Sequence, residues 1–137
     1  KLITAMSDIQ SQSTSNPTSI AQAAAVEALN GDQRCVDDMV AAFKRRHDDL
    51  VADLNTVPGV KCPAGDGTFY VFPNVEGLMA KLGCATDLEL SDKLLNDALV
   101  AVVPGSAFGT PGHLRLSFAT SETVLKQSVE RLRKIAG

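Results

Sequence analysis

Little in this 137-residue chain is basic, metal-ligating or continuously apolar. Its 13 lysines and arginines are outnumbered by 16 acids, and the net charge of −3 provides no electrostatic footprint for nucleic acid or an acidic membrane. Cys35, Cys62 and Cys84 are odd in number and widely spaced, without a CxxC pair, which argues against a disulfide framework or a zinc site. The two histidines, His47 within the charged run RRHDD and His113 beside a glycine, form no cluster for a catalytic metal. No apolar run approaches the roughly 20 residues of a membrane span, and the first residues lack the charged-then-apolar pattern of a signal peptide. Small molecules or proteins remain as expected partners, without nucleic acid or membrane, and a cytoplasmic location is expected.

What is present suits one globular domain. Hydrophobic residues make up 45% and charged residues 21%, ordinary values for a chain long enough to bury its own core. It opens at KLITAMSDIQ without an initiator methionine, already inside a pattern in which Leu2, Ile3, Met6 and Ile9 recur at helical intervals. A piece of a larger protein is the expectation.

Residues 1–10 read as the end of a helix, and SQSTSNP (11–17) as a polar break. A helix should restart at Pro17 with Asn16 as N-cap and Ile20, Ala24 and Leu29 as its buried stripe, ending at Asn30 and Gly31. The spacing of Val36, Met39, Val40, Phe43, Leu50, Val51 and Leu54 predicts a second helix over about 33–54, with RRHDD as a solvated face. Short strands are predicted at 60–62 and 68–72, helices near 76–82 and 87–97, and a buried strand at 100–103. After the glycine-rich PGSAFGTPGH, Leu114, Leu116 and Phe118 alternate with His113, Arg115 and Ser117, the period of a strand with one core face. A last helix begins at a Thr120 or Ser121 cap and ends basic. The sum is a two-layer α+β or α/β sandwich in which helices cover a small mixed sheet.

Arg115 is the strongest chemical candidate. Arginine is rarely buried unless paired, and one on a strand face beside a glycine-rich loop suits bidentate capture of a carboxylate. The commoner alternative is an edge-strand arginine paired to a surface acid. SQSTSNP groups hydroxyls and an amide before a helix N-terminus, a place suited to an anion, although ordinary capping explains it as well. Phe69 and Tyr70 could wall a pocket or fill a half-buried strand. No nucleophile elbow or triad setting is visible, and GDGTFY and PGSAFGTPG lack the context and lysine of a P-loop.

Taken together, SQSTSNPTSIAQAAAVEAL, GDGTFYVFPNV and VVPGSAFGTPGHLRLSFATSE, in this order, resemble the C-terminal part of class I, fold-type I, pyridoxal-phosphate-dependent aminotransferases, nearest to the bacterial-type aspartate aminotransferases. The resemblance covers nearly the whole chain. It implies an α/β fold in which residues 1–31 end the large-domain or interdomain helical segment and 32–137 form the C-terminal small domain. It also implies that Arg115 binds the α-carboxylate shared by amino-acid and 2-oxo-acid substrates, and that Gly67, Phe69 and Tyr70 lie along the substrate entrance, with Thr68 in place of the commoner alanine. Ser15 and Asn16 would approach the cofactor phosphate of a partner subunit in a homodimer. Ser11 would stand where some aspartate aminotransferases use an arginine for the distal carboxylate and this subgroup uses a serine.

The family's cofactor-linking lysine, the aspartate at the pyridine nitrogen and the tyrosine at the cofactor oxygen have no counterpart here, and Lys1 lies in no matching context. Transamination needs that lysine to move protons, so the chain alone is expected to be inactive. The resemblance leaves two alternatives open: a non-enzymatic module that binds a ligand or dimerises, and an aminotransferase for aromatic amino acids, kynurenine or alanine.

Overall fold

The computed structural model describes residues 1–13 and 15–137; Thr14, within SQSTSNP, lies outside the described residues. The chain divides into two compact units, Lys1–Asp37 and Asp38–Gly137.

The first unit contains α1 (Leu2–Ser13), α2 (Ser19–Asn30) and the first turn of α3 (Arg34–Leu54). The polar residues after Gln10 do not stop α1. Ser11 Oγ donates to the Asp8 carbonyl and Ser13 Oγ to that of Ile9, both at 2.8 Å, so the serines bond back onto the helix they were expected to end. The cap of α2 is Thr18 rather than Asn16. Thr18 is extended and its Oγ1 accepts from the Ala21 amide at 3.3 Å, leaving Asn16 and Pro17 outside the helix. Ile20 and Leu29, expected to be buried, are 82% and 80% exposed.

The second unit contains the remainder of α3, then β1 (Tyr70–Val71), α4 (Glu76–Leu82), α5 (Asp87–Asp97), β2 (Val103–Pro104), a 3-10 turn (Gly105–Phe108), β3 (Leu114–Ser117) and α6 (Glu122–Ala136). The strands form one sheet in the order β1-β3-β2, with both pairings antiparallel, so the expected mixed sheet is antiparallel throughout. Helices and sheet share one core. Leu114, Leu116 and Phe118 enter it from β3 and its continuation, Leu50 and Leu54 from α3, Leu90 and Leu94 from α5, and Leu125, Val129 and Leu132 from α6. A fully buried side chain of this kind contributes about 2 kcal/mol. Phe118 is anchored further by the Phe43 ring, 5.8 Å away.

Two expectations fail here for local reasons. The strand expected at 100–103 is reduced to Val103–Pro104 because Leu99 takes a left-handed φ of 54° and the Val100 amide bonds the Leu94 carbonyl, so that this stretch completes the end of α5. Residues 60–62 form only a single bridge, Lys61 with Asn74. RRHDD is not wholly solvated either, since His47 is buried. Both α6 and α5 start at hydroxyl caps, with Ser121 Oγ accepting from Val124 N at 3.3 Å and Thr86 Oγ1 from Glu89 N at 3.1 Å.

Candidate active site

β3 is the central strand, so Arg115 is not an edge residue. Alternation sends Leu114 and Leu116 into the core and turns Arg115 to the other face, where it is half-buried. Register places Arg115 opposite Val103 on β2 and Ser117 opposite Tyr70 on β1. Tyr70 and Arg115 therefore share a face.

That face is aromatic. The Arg115 guanidinium carbon lies 4.8 Å from the centre of the Phe108 ring and 5.4 Å from that of Tyr70. Phe72 continues the row: His113 stacks on it at 5.3 Å and 13°, and Phe108 meets it edge-on at 6.2 Å. Phe69 packs edge-on against Tyr70 at 5.6 Å. Ring faces carry partial negative charge and attract the guanidinium without occupying its N–H groups. Among the described residues, none of the ion pairs involves Arg115, although Asp53, with Arg133, and Asp97, with Lys93, do find basic partners. The alternative of an arginine tied to a surface acid is therefore not realised.

Local geometry fixes the walls. Gly105 opens the 3-10 turn where a Cβ would collide with the Thr110 carbonyl oxygen and lie 2.8 Å from His113 Cβ, so only glycine lets the turn sit against the start of β3. Asp87, 3% exposed at the start of α5, accepts the Ser106 amide on its Oδ2 at 2.7 Å. At the other wall Thr68 holds a φ of 69°, unusual for a β-branched residue, with its hydroxyl donating to the Tyr70 carbonyl at 3.1 Å. Gly67 and Phe69 beside it are exposed.

Ser11, Ser15 and Asn16 belong to the first unit and are exposed there. Phe108, Phe72, His113 and Asp87 were not singled out from the sequence. The period-two placement of Phe72 with Tyr70 and of His113 with Arg115 carries the signal for two of them. Phe108 and Asp87 are joined to the site by tertiary structure, which leaves no local pattern.

A concave feature of about 650 Å³ lies elsewhere, between α3 and residues 64–68, with Phe43, His47, Gly65, Thr68 and Phe118 among its walls. The Lys44 ammonium, and then His47, hold the Asp48 carboxyl below the usual carboxylate range. The cysteines are all free thiols. Burial pushes the Cys62 thiol up to about 11, which leaves it protonated and poorly nucleophilic near neutral pH. No described helix is long and apolar enough to cross a membrane.

The family described as aminotransferase class I and II matches residues 1–132. The chain is 46% identical over 140 residues to an aspartate/prephenate aminotransferase of Nitrosomonas europaea, covering 98% of this chain and 35% of that protein. It is 47% identical over 133 residues to an aspartate aminotransferase of Geobacillus stearothermophilus, covering 97% and 34% respectively. The crystal structure of the aspartate aminotransferase from Rhizobium meliloti superposes with a TM-score of 0.85 at 44% identity, over 98% of this chain and 35% of that one. The chain thus spans about a third of the length of the curated relatives it matches. With a family match over nearly its whole length and relatives well above 40% identity, this chain belongs to the class I and II aminotransferases.

Proposed function

We propose that this chain supplies the substrate-carboxylate site of an aspartate-type aminotransferase, which moves an amino group between aspartate, or a similar amino acid, and a 2-oxo acid. The observation that carries the reading is Arg115: a half-buried guanidinium on a central strand, held by two rings and, among the described residues, in none of the ion pairs.

Amino donor and oxo-acid acceptor share an α-carboxylate, so one planar fork of N–H donors can hold both substrates in turn. The rings of Phe108 and Tyr70 restrict the guanidinium and keep water from its faces, which strengthens a charge-assisted contact. Pyridoxal phosphate, when bound, supplies the electron sink for amino-group transfer. The residues here suit the substrate end of such a site rather than covalent attachment of the cofactor. Lys1, Lys44, Lys61, Lys81, Lys126 and Lys134 are exposed, and Lys93 is paired to Asp97. The chain alone is accordingly inactive, its residues 32–137 being the small domain and 1–31 the end of the large-domain or interdomain segment. In a homodimer Ser15 and Asn16 would help hold the cofactor phosphate of the partner subunit, and Ser11 would meet the distal end of the substrate.

In the full-length enzyme, Arg115→Ala should raise the KM of amino-acid and oxo-acid substrates alike and lower kcat/KM by about two to three orders of magnitude. An unchanged kcat/KM for both would refute the carboxylate assignment.

A further inference from the structure

We infer that Asp87 is a positioning residue for substrate-carboxylate binding, acting on Arg115 through the 3-10 turn that carries Phe108; this rests on the reading of Arg115 given above. Asp87 is in the first turn of α5 and is almost completely buried, a costly place for a carboxylate without donors. Two features offset that cost. The N-terminal end of α5 favours negative charge, and the Ser106 amide donates to Oδ2 at 2.7 Å, the short distance of a charge-assisted bond. Ser91 Oγ donates to the Asp87 carbonyl at 2.8 Å and secures the same residue from the next turn of the helix.

The receiving end is a short turn with few other restraints. The Gly105 amide bonds the His113 carbonyl at 2.8 Å, the Gly109 amide bonds the Ser106 carbonyl at 3.1 Å, and the Thr110 amide bonds that of Gly105 at 3.0 Å. Of these bonds, only the one from Gly105 reaches a partner outside the turn, at His113 just before β3; the other two close the turn on itself. The Ser106–Asp87 bond is the tie to α5. Phe108 follows two residues later and remains 49% exposed, so its position against Arg115 depends on the turn beneath it and on its edge contact with Phe72. Asp87 thereby sets the ring that restricts the guanidinium, nineteen residues away along the chain from the amide it holds.

The experiment compares wild type, Asp87→Asn, Asp87→Ala and Arg115→Ala in the full-length aminotransferase, reading KM and kcat for aspartate and a 2-oxo acid, amide exchange at Ser106 to Gly109, and thermal unfolding. Removing the bond should raise the KM of both substrates about tenfold in Asp87→Ala, with kcat within about twofold, and should accelerate exchange at Ser106. Asparagine keeps an acceptor oxygen and should fall between, with a KM rise of about threefold. If the alanine variant does not fold, the asparagine variant carries the same test. A KM equal to wild type in whichever variant folds, with only the unfolding temperature lowered, would show a merely structural role and overturn the inference. Arg115→Ala separates the two readings. If its KM rises while that of the Asp87 variants does not, the positioning role alone fails; if its KM is unchanged, the carboxylate assignment has failed, and the positioning role falls with it.

Discussion

Nε2 of His47 accepts a hydrogen bond from the Gly65 amide at 3.1 Å, while Nδ1 lies 3.0 Å from Asp48 Oδ1. A ring nitrogen that accepts carries no proton, so the neutral ring places its proton on Nδ1, facing the carboxylate. The ring also meets Phe118 edge-on at 5.7 Å. One side chain of α3 thus fastens the stretch leading into Gly67–Tyr70.

His47→Ala should therefore destabilise the fold by about 2 kcal/mol, through a lost buried ring and an amide left without its acceptor. His47→Gln, which can present an acceptor oxygen, should lose about half as much. Urea unfolding measures both, and Gly65 amide exchange localises the effect. A stable alanine variant with unchanged exchange would remove His47 from this role.

The buried thiol of Cys62 gives a pH dependence of definite sign. Its folded pKa is about 11 against an ordinary 9.0, so between these values the folded chain binds more protons than the unfolded one. Stability should fall as pH rises from about 9 to 11, by up to about 2 kcal/mol, with Cys62→Ala flattening the slope. Below about pH 8 the thiol contributes almost no slope. Thiol titration at pH 8 should modify the exposed Cys35 promptly and Cys62 only on unfolding.

Gly105→Ala should act on both stability and substrate binding. The added methyl meets the Thr110 carbonyl and the base of His113, so the turn must shift, at a cost of about 1–3 kcal/mol. Phe108 moves with it, and the KM of carboxylate substrates in the full-length enzyme should rise. A variant with normal KM and normal stability would show that the turn has more freedom than its contacts suggest.

At the C-terminal helix, Ser121→Ala removes the cap on the Val124 amide and should cost about 1 kcal/mol in chemical unfolding, whereas Ser121→Asp should retain most of the stability.

Much of this architecture was legible because it rests on periodicity. The alternation over 113–118 assigned every core and non-core residue of β3 correctly, and the helices at 76–82 and 87–97 match within the ends. Caps were legible only in part: the last helix was expected to start at Thr120 or Ser121 and the folded backbone selects Ser121, while the expected Asn16 cap of the second helix gives way to Thr18. Val100 was read as strand because β-branched residues favour one, but a single left-handed residue, Leu99, redirected its amide to the helix. His47 was hidden inside a charged run, since its burial depends on residues 64–68 folding back over α3. Arg115 and Tyr70 were both visible as candidates in the sequence; the contact between them and the part played by Phe108 were not, because Phe108 reaches Arg115 from a turn and Tyr70 from another strand.

β3 is only four residues long, and it serves two masters: Leu114 and Leu116 hold the core together while Arg115, between them, lies on the opposite face and, in the role proposed above, meets the substrate carboxylate. Natural variation in this segment is therefore screened twice. A drift in the size of either leucine tilts the strand and with it the guanidinium, so a mutation tolerated for folding can still be rejected for selectivity. If Arg115 holds the substrate carboxylate as proposed, descendants of this sequence that adopt new substrates should change the rings and loops around it far more freely than the strand that bears it.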